Sequence, residues 1–522
     1  MSNSIGIYGS HDSSICIEVN GVYRVYEFER LLQERYCKLN DKKDFKVYIK
    51  KVYDEIIKEY GLIEFNNCYY GQLNKGNIED IKEVFKCNSF VETPHHPSHA
   101  ACAYYQSGFK DSLIISQDGG GFDDGDVVTF KIFTMIDGVL SEVEKIPIDL
   151  GNSYTLMSLP ISEVNKPTDS WGLRYLSYAG KMMGLTAYGE VINEWVNPII
   201  NFYKTQRFDG SVHQLNTLLR AINLPTSVNS LKGKTGYDLA ATAQYVFEKM
   251  TAELITPFIE KYNLPVCMTG GCALNVLFNQ ILKDTLSVDL FIPPNPNDCG
   301  LSFGNLVLNE PPKNKIKLTY NGFGILDKDK LEYYVDKYKA KKPTTSEVAE
   351  LITKGNIIGL VQGNSEVGPR ALGNRSIICD PAYKDMKDIL NAKVKFREWF
   401  RPFAPVVRLE EVDKYFEFSG ESEYMSFAPK VKEEYRDKLA SITHVDGTAR
   451  VQTIKKEQNE YLYNIINEIN NIKGIGVILN TSFNIKGKPI LTKIKEAIYV
   501  LENTELDYLL IEGYLFKKKI II

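Results

Sequence analysis

The stretch VETPHHPSHAACAYYQ, residues 91 to 106, holds three of the chain's six histidines within five positions: His95, His96 and His99. His95 and His99 stand four apart, so on a helix both imidazoles share one face, a common two-ligand spacing. Pro97 is comfortable only in the first turn of such a helix, which puts His95 at or just before its start. Asp118 in SQDGGG and Asp298 in NPNDCG are the natural carboxylate partners, both at strand-to-loop ends. Mixed His and Asp ligands suit iron, manganese or zinc, and spacing does not choose among them. A helix-capping cluster with solvated histidines is the competing reading, and spacing leaves both open.

Phosphate chemistry has two further signals. Three glycine-bearing segments each follow an apolar run: GIYGSHDSS (6 to 14), SQDGGGFDDGD (116 to 126) and TGGCALN (269 to 275). Glycines such as Gly119, Gly120, Gly270 and Gly271 let backbone N–H groups approach phosphate oxygens without a Cβ in the way. None of the segments is a Walker A sequence, which excludes a P-loop ATPase. Spaced through one domain, they suggest two phosphate loops and an adenosine loop on a duplicated ribonuclease-H-like core. Farther on come Arg370, Arg375, Lys393, Lys395, Arg397, Arg401 and Arg408, answered only by Asp380, Asp385, Asp388 and Glu398. Arginine's planar fork matches phosphate and carboxylate oxygens, so the cluster could hold two anions and stabilise charge at an attacked α-phosphate. Phe396, Trp399, Phe400 and Phe403 interleave with these charges, as they would in a nucleic-acid groove. The two prolines of RPFAP argue for a shaped pocket instead.

Elements must bring these residues together. Residues 4 to 9 and 14 to 25 alternate like two paired strands meeting at GSHDSS. Helical patterns fill much of 43 to 60, and DSLIISQDGGG reads as a buried strand running into a glycine loop. An i, i+3, i+4 apolar stripe predicts a helix over 238 to 262. LPVCMTGGCALNVLFNQIL follows as strand, Gly-Gly turn and helix, and EVAELITKGNIIGLVQGNSEVG starts a fresh helix-strand-loop unit. Between 309 and 330 a proline pair, a lysine cluster and loose periodicity read as a linker, giving domains over 1–315 and 325–522.

Bulk properties narrow the class. At 522 residues the chain is too long for one core, and 44% hydrophobic with 25% charged residues is ordinary for a globular protein. A net charge of −4 argues against a broadly basic nucleic-acid surface. No window approaches the ~20 apolar residues of a membrane span, and the N-terminus lacks a signal-peptide pattern, so a cytoplasmic location without membrane contact is expected. Nine cysteines include no C-x-x-C pair, which removes zinc fingers and thioredoxin-type chemistry.

HHPSHAACAYYQSGF, GKMMGLTAYG, TGGCALN, VGPRALGNRSIICDP, REWFRPFAPVV and LNTSFNIKGKPI together resemble the O-carbamoyltransferases of nodulation factor and antibiotic biosynthesis, in order from near residue 5 to near residue 512. The resemblance implies an α/β protein: an actin-like ATPase-fold domain followed by a YrdC-like domain. The second would make carbamoyl-adenylate from carbamoyl phosphate and ATP with Mg. The first would hold an Fe(II)-type metal and pass the carbamoyl group to a small-molecule acceptor hydroxyl on a sugar, antibiotic scaffold or modified nucleoside. Carried over, the metal ligands fall on His95, His99 and Asp298 with Asp118 beside them, and His96 is a neighbour. His11 and Asp12 match the active-site loop, His11 either helping to remove the acceptor's proton or binding phosphate or capping a turn. Gly270, Gly271 and Asn275 match the nucleotide loop, with Gly119 and Gly120 as further candidates. Gly184 and Lys181 match GK-x-MGL-AYG, the lysine facing phosphate or solvent. Carbamoyl-phosphate and adenylate contacts fall on Arg370, Lys395, Arg401, Arg450 and Ser482, with Arg375 and Asn480 as further candidates; Lys395 and Arg401 are the catalytic candidates there. The alternatives are a tRNA threonylcarbamoyl enzyme, a hydrogenase-maturation carbamoyltransferase, whose zinc-finger cysteine pairs are absent, and an actin-like nucleotide sensor without catalysis. A homodimer is the base-rate expectation.

Overall fold

Runs of β-branched and aromatic residues form the sheets of two units, Met1–Leu318 and Thr319–Ile522, into which the chain divides. The computed structural model describes residues 3–123, 125–165, 173–206, 212–485 and 487–518. In the first unit, β1 (Ser4–Tyr8), β2 (Ser14–Val19), β3 (Val22–Glu27), β4 (Asn67–Gly71) and β5 (Ser89–Glu92) form a sheet of order β3-β2-β1-β4-β5. A second sheet holds β6 (Ser112–Asp123), β7 (Asp126–Ile136), β8 (Val139–Lys145), β9 (Val266–Thr269) and β10 (Leu290–Phe291) in the order β10-β9-β6-β7-β8. Each sheet is an antiparallel three-strand meander whose first strand takes a parallel neighbour on its other side. One topology thus occurs twice, as in a duplicated ribonuclease-H-like, actin-like core.

Two sequence expectations change. The run 14 to 25 is two strands, because Asn20 and Gly21 take left-handed φ angles of 53° and 82° and turn the chain back. The glycines after Asp118 do not form a loop: β6 continues through them to Asp123, with a register shift against β7 between Gln117 and Gly121. The expected helices appear as Phe45–Tyr60 and Lys234–Tyr262, and the Gly-Gly turn joins β9 to the helix Val276–Thr285. The helix Leu301–Asn309 packs on β1 and on the helix His95–Ser107, which brings Asp298, just ahead of it, toward the histidines.

The second unit holds one mixed sheet: β11 (Ile358–Val361), β12 (Arg375–Cys379), β13 (Ala404–Arg408), β14 (Gln452–Ile454), β15 (Val477–Ser482), β16 (Tyr508–Ile511) and β17 (Tyr514–Lys517). Its order is β14-β13-β15-β12-β11-β16-β17. The helices Thr345–Thr353 and Glu460–Lys473 bury Val348, Ile352, Ile465 and Ile469 against Leu360, Ile378, Val406 and Ile478 of the sheet. Burying such side chains contributes about 1.5–3 kcal/mol each. Among the described residues, no helix is long and apolar enough to cross a membrane.

Candidate metal centre and anion cluster

His95 opens its helix, with Pro94 as N-cap and Pro97 in the first turn, so His99 lies one turn on along the same face. His95 Nε2 is 3.0 Å from Asp118 Oδ2 and 3.8 Å from Asp298 Oδ1. His99 Nε2 is 3.4 Å from Asp298 Oδ1 and 3.6 Å from Asp118 Oδ2. The four donor atoms lie within 4.8 Å of one another on buried residues. His99 Nε2 and Asp298 Oδ1 are buried and make no hydrogen bond. Donors placed ~2.1 Å from one ion stand roughly 3–3.4 Å apart, close to these spacings. The set fits a divalent cation.

Neighbouring groups hold the donors in place. Tyr8 donates to Asp298 Oδ2 at 2.6 Å, and the Gly271 N–H donates to Asp118 Oδ1 at 2.8 Å. Burial alone would raise the Asp118 carboxyl, but His95 and His99 more than reverse this and hold it well below the usual range. His99 shows the converse: burial pushes its imidazole down, yet Asp118 and Asp298 raise it to about 9. His96 differs from both. Its Nδ1 meets Ser116 Oγ at 2.8 Å and its Nε2 meets the Val128 carbonyl at 2.9 Å, which uses both ring nitrogens. Burial and the two neighbouring imidazoles lower it to about 4.

His11 Nε2 lies 3.4 Å from Asp298 Oδ2, and its Nδ1 lies 3.2 Å from Asp12 Oδ2. Asn297 donates to that same Asp12 oxygen at 3.2 Å. Burial opposes the charge on His11, but Asp298 and Asp12 raise it to about 10. A cation among these carboxylates would cancel much of their pull on His11.

The glycine segments meet at Asp118. Gly270 has φ +83°, and an added Cβ would stand 2.2 Å from the Gln117 carbonyl. Gly119 and Gly120 lie in the irregular part of β6. Asn275 accepts the Phe278 N–H as N-cap of its helix and exchanges hydrogen bonds with Gln244 at 3.0 and 3.1 Å. Lys181 Nζ donates to the Val164 carbonyl at 3.3 Å and sits 5.1 Å from the Tyr178 ring centroid. Gly184 belongs to the same helix, Tyr178–Leu185.

The second unit gathers cations. Burial, then Arg370, Arg397 and Arg401, push the Arg450 guanidinium well below its ordinary range, and its buried Nε makes no hydrogen bond. Arg397 is lowered by burial and by Arg401. Glu398 lies 3.8 Å from Arg401. Four guanidinium groups therefore repel one another, an arrangement that an anion would relieve. The end of β15 ties the group together. Asn480 donates to the carbonyl of Ala371, next to Arg370, at 3.0 Å and to Gln452, two residues past Arg450, at 2.9 Å. Two residues along the same strand, Lys395 Nζ meets the Ser482 carbonyl, Ser482 Oγ at 3.3 Å and Asn484. Arg375 is placed differently. It is fully buried and donates to the carbonyls of Gln362, Gly363 and Asn374 at 2.6 to 2.9 Å, bracing the loop from inside.

Sequence reasoning missed Tyr8, Asp123, Gly121 and Glu366. The Glu366 carboxylate accepts the N–H groups of Leu372, Asn374 and Arg375 at 2.7 to 3.1 Å, folding the loop that presents Arg370. Its position four residues before Arg370, in SEVGPR, was the available signal.

The family profile described as carbamoyltransferase N-terminus matches residues 23–307, and that described as carbamoyltransferase C-terminus matches residues 349–518. The chain belongs to the carbamoyltransferase family and is a transferase enzyme. Among its relatives, an uncharacterized protein of Methanocaldococcus jannaschii is 33% identical over 89% of this chain and 81% of its own length. Nodulation protein NolNO of Sinorhizobium fredii is 33% identical over 83% of the chain and 64% of its own length. Nodulation protein NolO of Bradyrhizobium diazoefficiens is 30% identical over 81% of the chain and 79% of its own length.

Proposed function

We propose that the chain is an ATP-dependent O-carbamoyltransferase acting in two steps. In the unit Thr319–Ile522, read as a YrdC-like domain, one water hydrolyses carbamoyl phosphate to carbamate and phosphate, and the carbamate oxygen then attacks the α-phosphate of Mg-ATP, giving carbamoyl-adenylate with loss of pyrophosphate. Arg370, Arg401 and Arg450 bind the phosphate groups, and Lys395 with Ser482 orients the reacting end. Fixed cations lower the barrier here because the charge that develops at the α-phosphate meets partners already in place. The crowding of arginines around Arg450, with Glu398 as the nearby carboxylate, is the observation that carries this reading.

In the unit Met1–Leu318, the carbamoyl group passes to a hydroxyl of a small-molecule acceptor. His95, His99, Asp118 and Asp298 would hold a divalent metal, Fe(II) by family resemblance. When bound, it supplies polarisation of the carbamoyl carbonyl or of the acceptor hydroxyl. Asp12 orients His11, which receives the acceptor's proton, while Tyr8 and Gly271 hold the two carboxylates. Transfer breaks the bond between the carbamoyl carbon and the adenylate oxygen, and AMP leaves.

Incubation of the purified chain with Fe(II), Mg-ATP and carbamoyl phosphate tests the first step. Pyrophosphate release that depends on carbamoyl phosphate is expected, and its absence contradicts the reading. Mass spectrometry of a panel of sugars, antibiotic scaffolds and nucleosides then finds the acceptor by its gain of a carbamoyl group.

A further inference from the structure

Asp118 and the two histidines sit on different elements, β6 and the helix His95–Ser107, so something must fix the distance between them. Two prolines simplify the start of that helix: Pro94 and Pro97 have no N–H, which leaves His95 and His96 as the free donors of the first turn. Pro94 offers no side-chain cap. Both donors go instead to Asp123, five residues beyond Asp118 on β6. Its Oδ1 accepts the His95 N–H at 2.5 Å, and its Oδ1 and Oδ2 lie 3.3 and 3.2 Å from the His96 N–H. A carboxylate at a helix N-terminus also meets the positive end of the helix dipole. Asp123 is 2% exposed, and Lys131, equally buried, places its Nζ 3.5 Å from Oδ2 and 2.8 Å from Glu142.

The same strand makes room for the ring it helps to place. A Cβ on Gly121 would stand 2.0 Å from His95 Cγ, so only glycine permits this approach. Between residues 118 and 123, β6 therefore supplies one ligand candidate, the space for a second, and the anchor of the helix that carries the second and third.

We propose that Asp123 is a positioning residue of the metal centre, setting the distance from His95 and His99 to Asp118 through the backbone of the helix's first turn. The inference rests on the metal reading given above, and the test separates the two. The metal-stripped full chain is titrated with Co2+, which reports affinity and, through its visible d–d bands, coordination geometry. Pyrophosphate release is measured in parallel. Asp123→Ala is expected to weaken Co2+ binding by about 10- to 100-fold, the usual effect of removing an outer partner, and to shift the bands. Asp123→Asn, which keeps an acceptor oxygen, is expected to lose less, and both variants should still release pyrophosphate. Unchanged Kd and bands in both variants overturn the proposal, as does a loss of pyrophosphate release in step with Co2+ affinity. Should the alanine variant fail to fold, Asp123→Asn decides by the same two readouts. A wild-type chain that binds no Co2+ overturns the metal reading and this inference with it, whereas normal wild-type binding with unaffected variants overturns the inference alone.

Discussion

The cluster around His99 and the cluster around Arg450 run their electrostatics in opposite directions. In the first, acids and imidazoles answer one another, so Asp118 is pulled down and His99 is raised to about 9. In the second, cations face cations, and Arg397 and Arg450 are both pushed down by burial and by their like-charged neighbours. A metal ion bound in the first cluster would compete with protons for the same imidazole and carboxylate atoms. In the second, Glu398 lies 3.8 Å from Arg401, while Arg450 is set against three further guanidinium groups. Yet both rely on one device, a buried carboxylate that grips backbone N–H groups: Asp123 under His95 and His96, and Glu366 under the loop of Arg370.

If that contrast is right, removing one cation from the second cluster should have the largest effect. Arg401→Ala is predicted to lower carbamoyl-phosphate-dependent pyrophosphate release by about 10²–10³-fold, the scale of losing one preorganised electrostatic partner. A smaller change would reduce the arginines to a structural cluster. The first cluster is attacked by bulk rather than charge. Gly121→Ala should displace the His95 ring, weaken Co2+ binding at least about tenfold by titration, and cost about 1–3 kcal/mol in denaturant unfolding.

Protonation offers a gentler probe. His99 and His11 titrate in the folded chain near 9 and 10, above their ordinary 6.5. The stability they add to metal-stripped protein is therefore complete below about pH 6.5 and is lost as pH rises through 9 to 10. Melting temperatures across this range should fall with pH, and His99→Gln should flatten the slope. Co2+ affinity should rise over the same window, because binding must displace those protons. The smallest effect is predicted for Asn275→Ala, which removes a helix cap and the exchange with Gln244 at a cost of about 1 kcal/mol, read as a few degrees in Tm.

Much of both sites could be nominated from the sequence because the signals are local. The i, i+4 histidines, the aspartates beside apolar runs and the arginine excess between 370 and 401 need no fold to be noticed. What stayed hidden acts through the backbone or through empty space. Asp123 matters because two prolines leave two N–H groups that its carboxylate accepts, and Gly121 because a ring occupies the place of its Cβ. The glycine run after Asp118 misled for a related reason. Glycine marks a bulge as readily as a loop, and pairing with β7 carries the strand through the run with a register shift. Arg375 and Arg370 look alike in sequence, yet one is fully buried on three carbonyls. Only the strand β12 that begins at Arg375 separates them.

The division of labour itself is tested by comparing Arg370→Ala and His95→Ala, each assayed for pyrophosphate release and for carbamoylated product. Arg370→Ala should lose pyrophosphate release, while His95→Ala should release it at close to the wild-type rate and form no product. Equal loss of both steps in a folded His95→Ala protein would contradict the account.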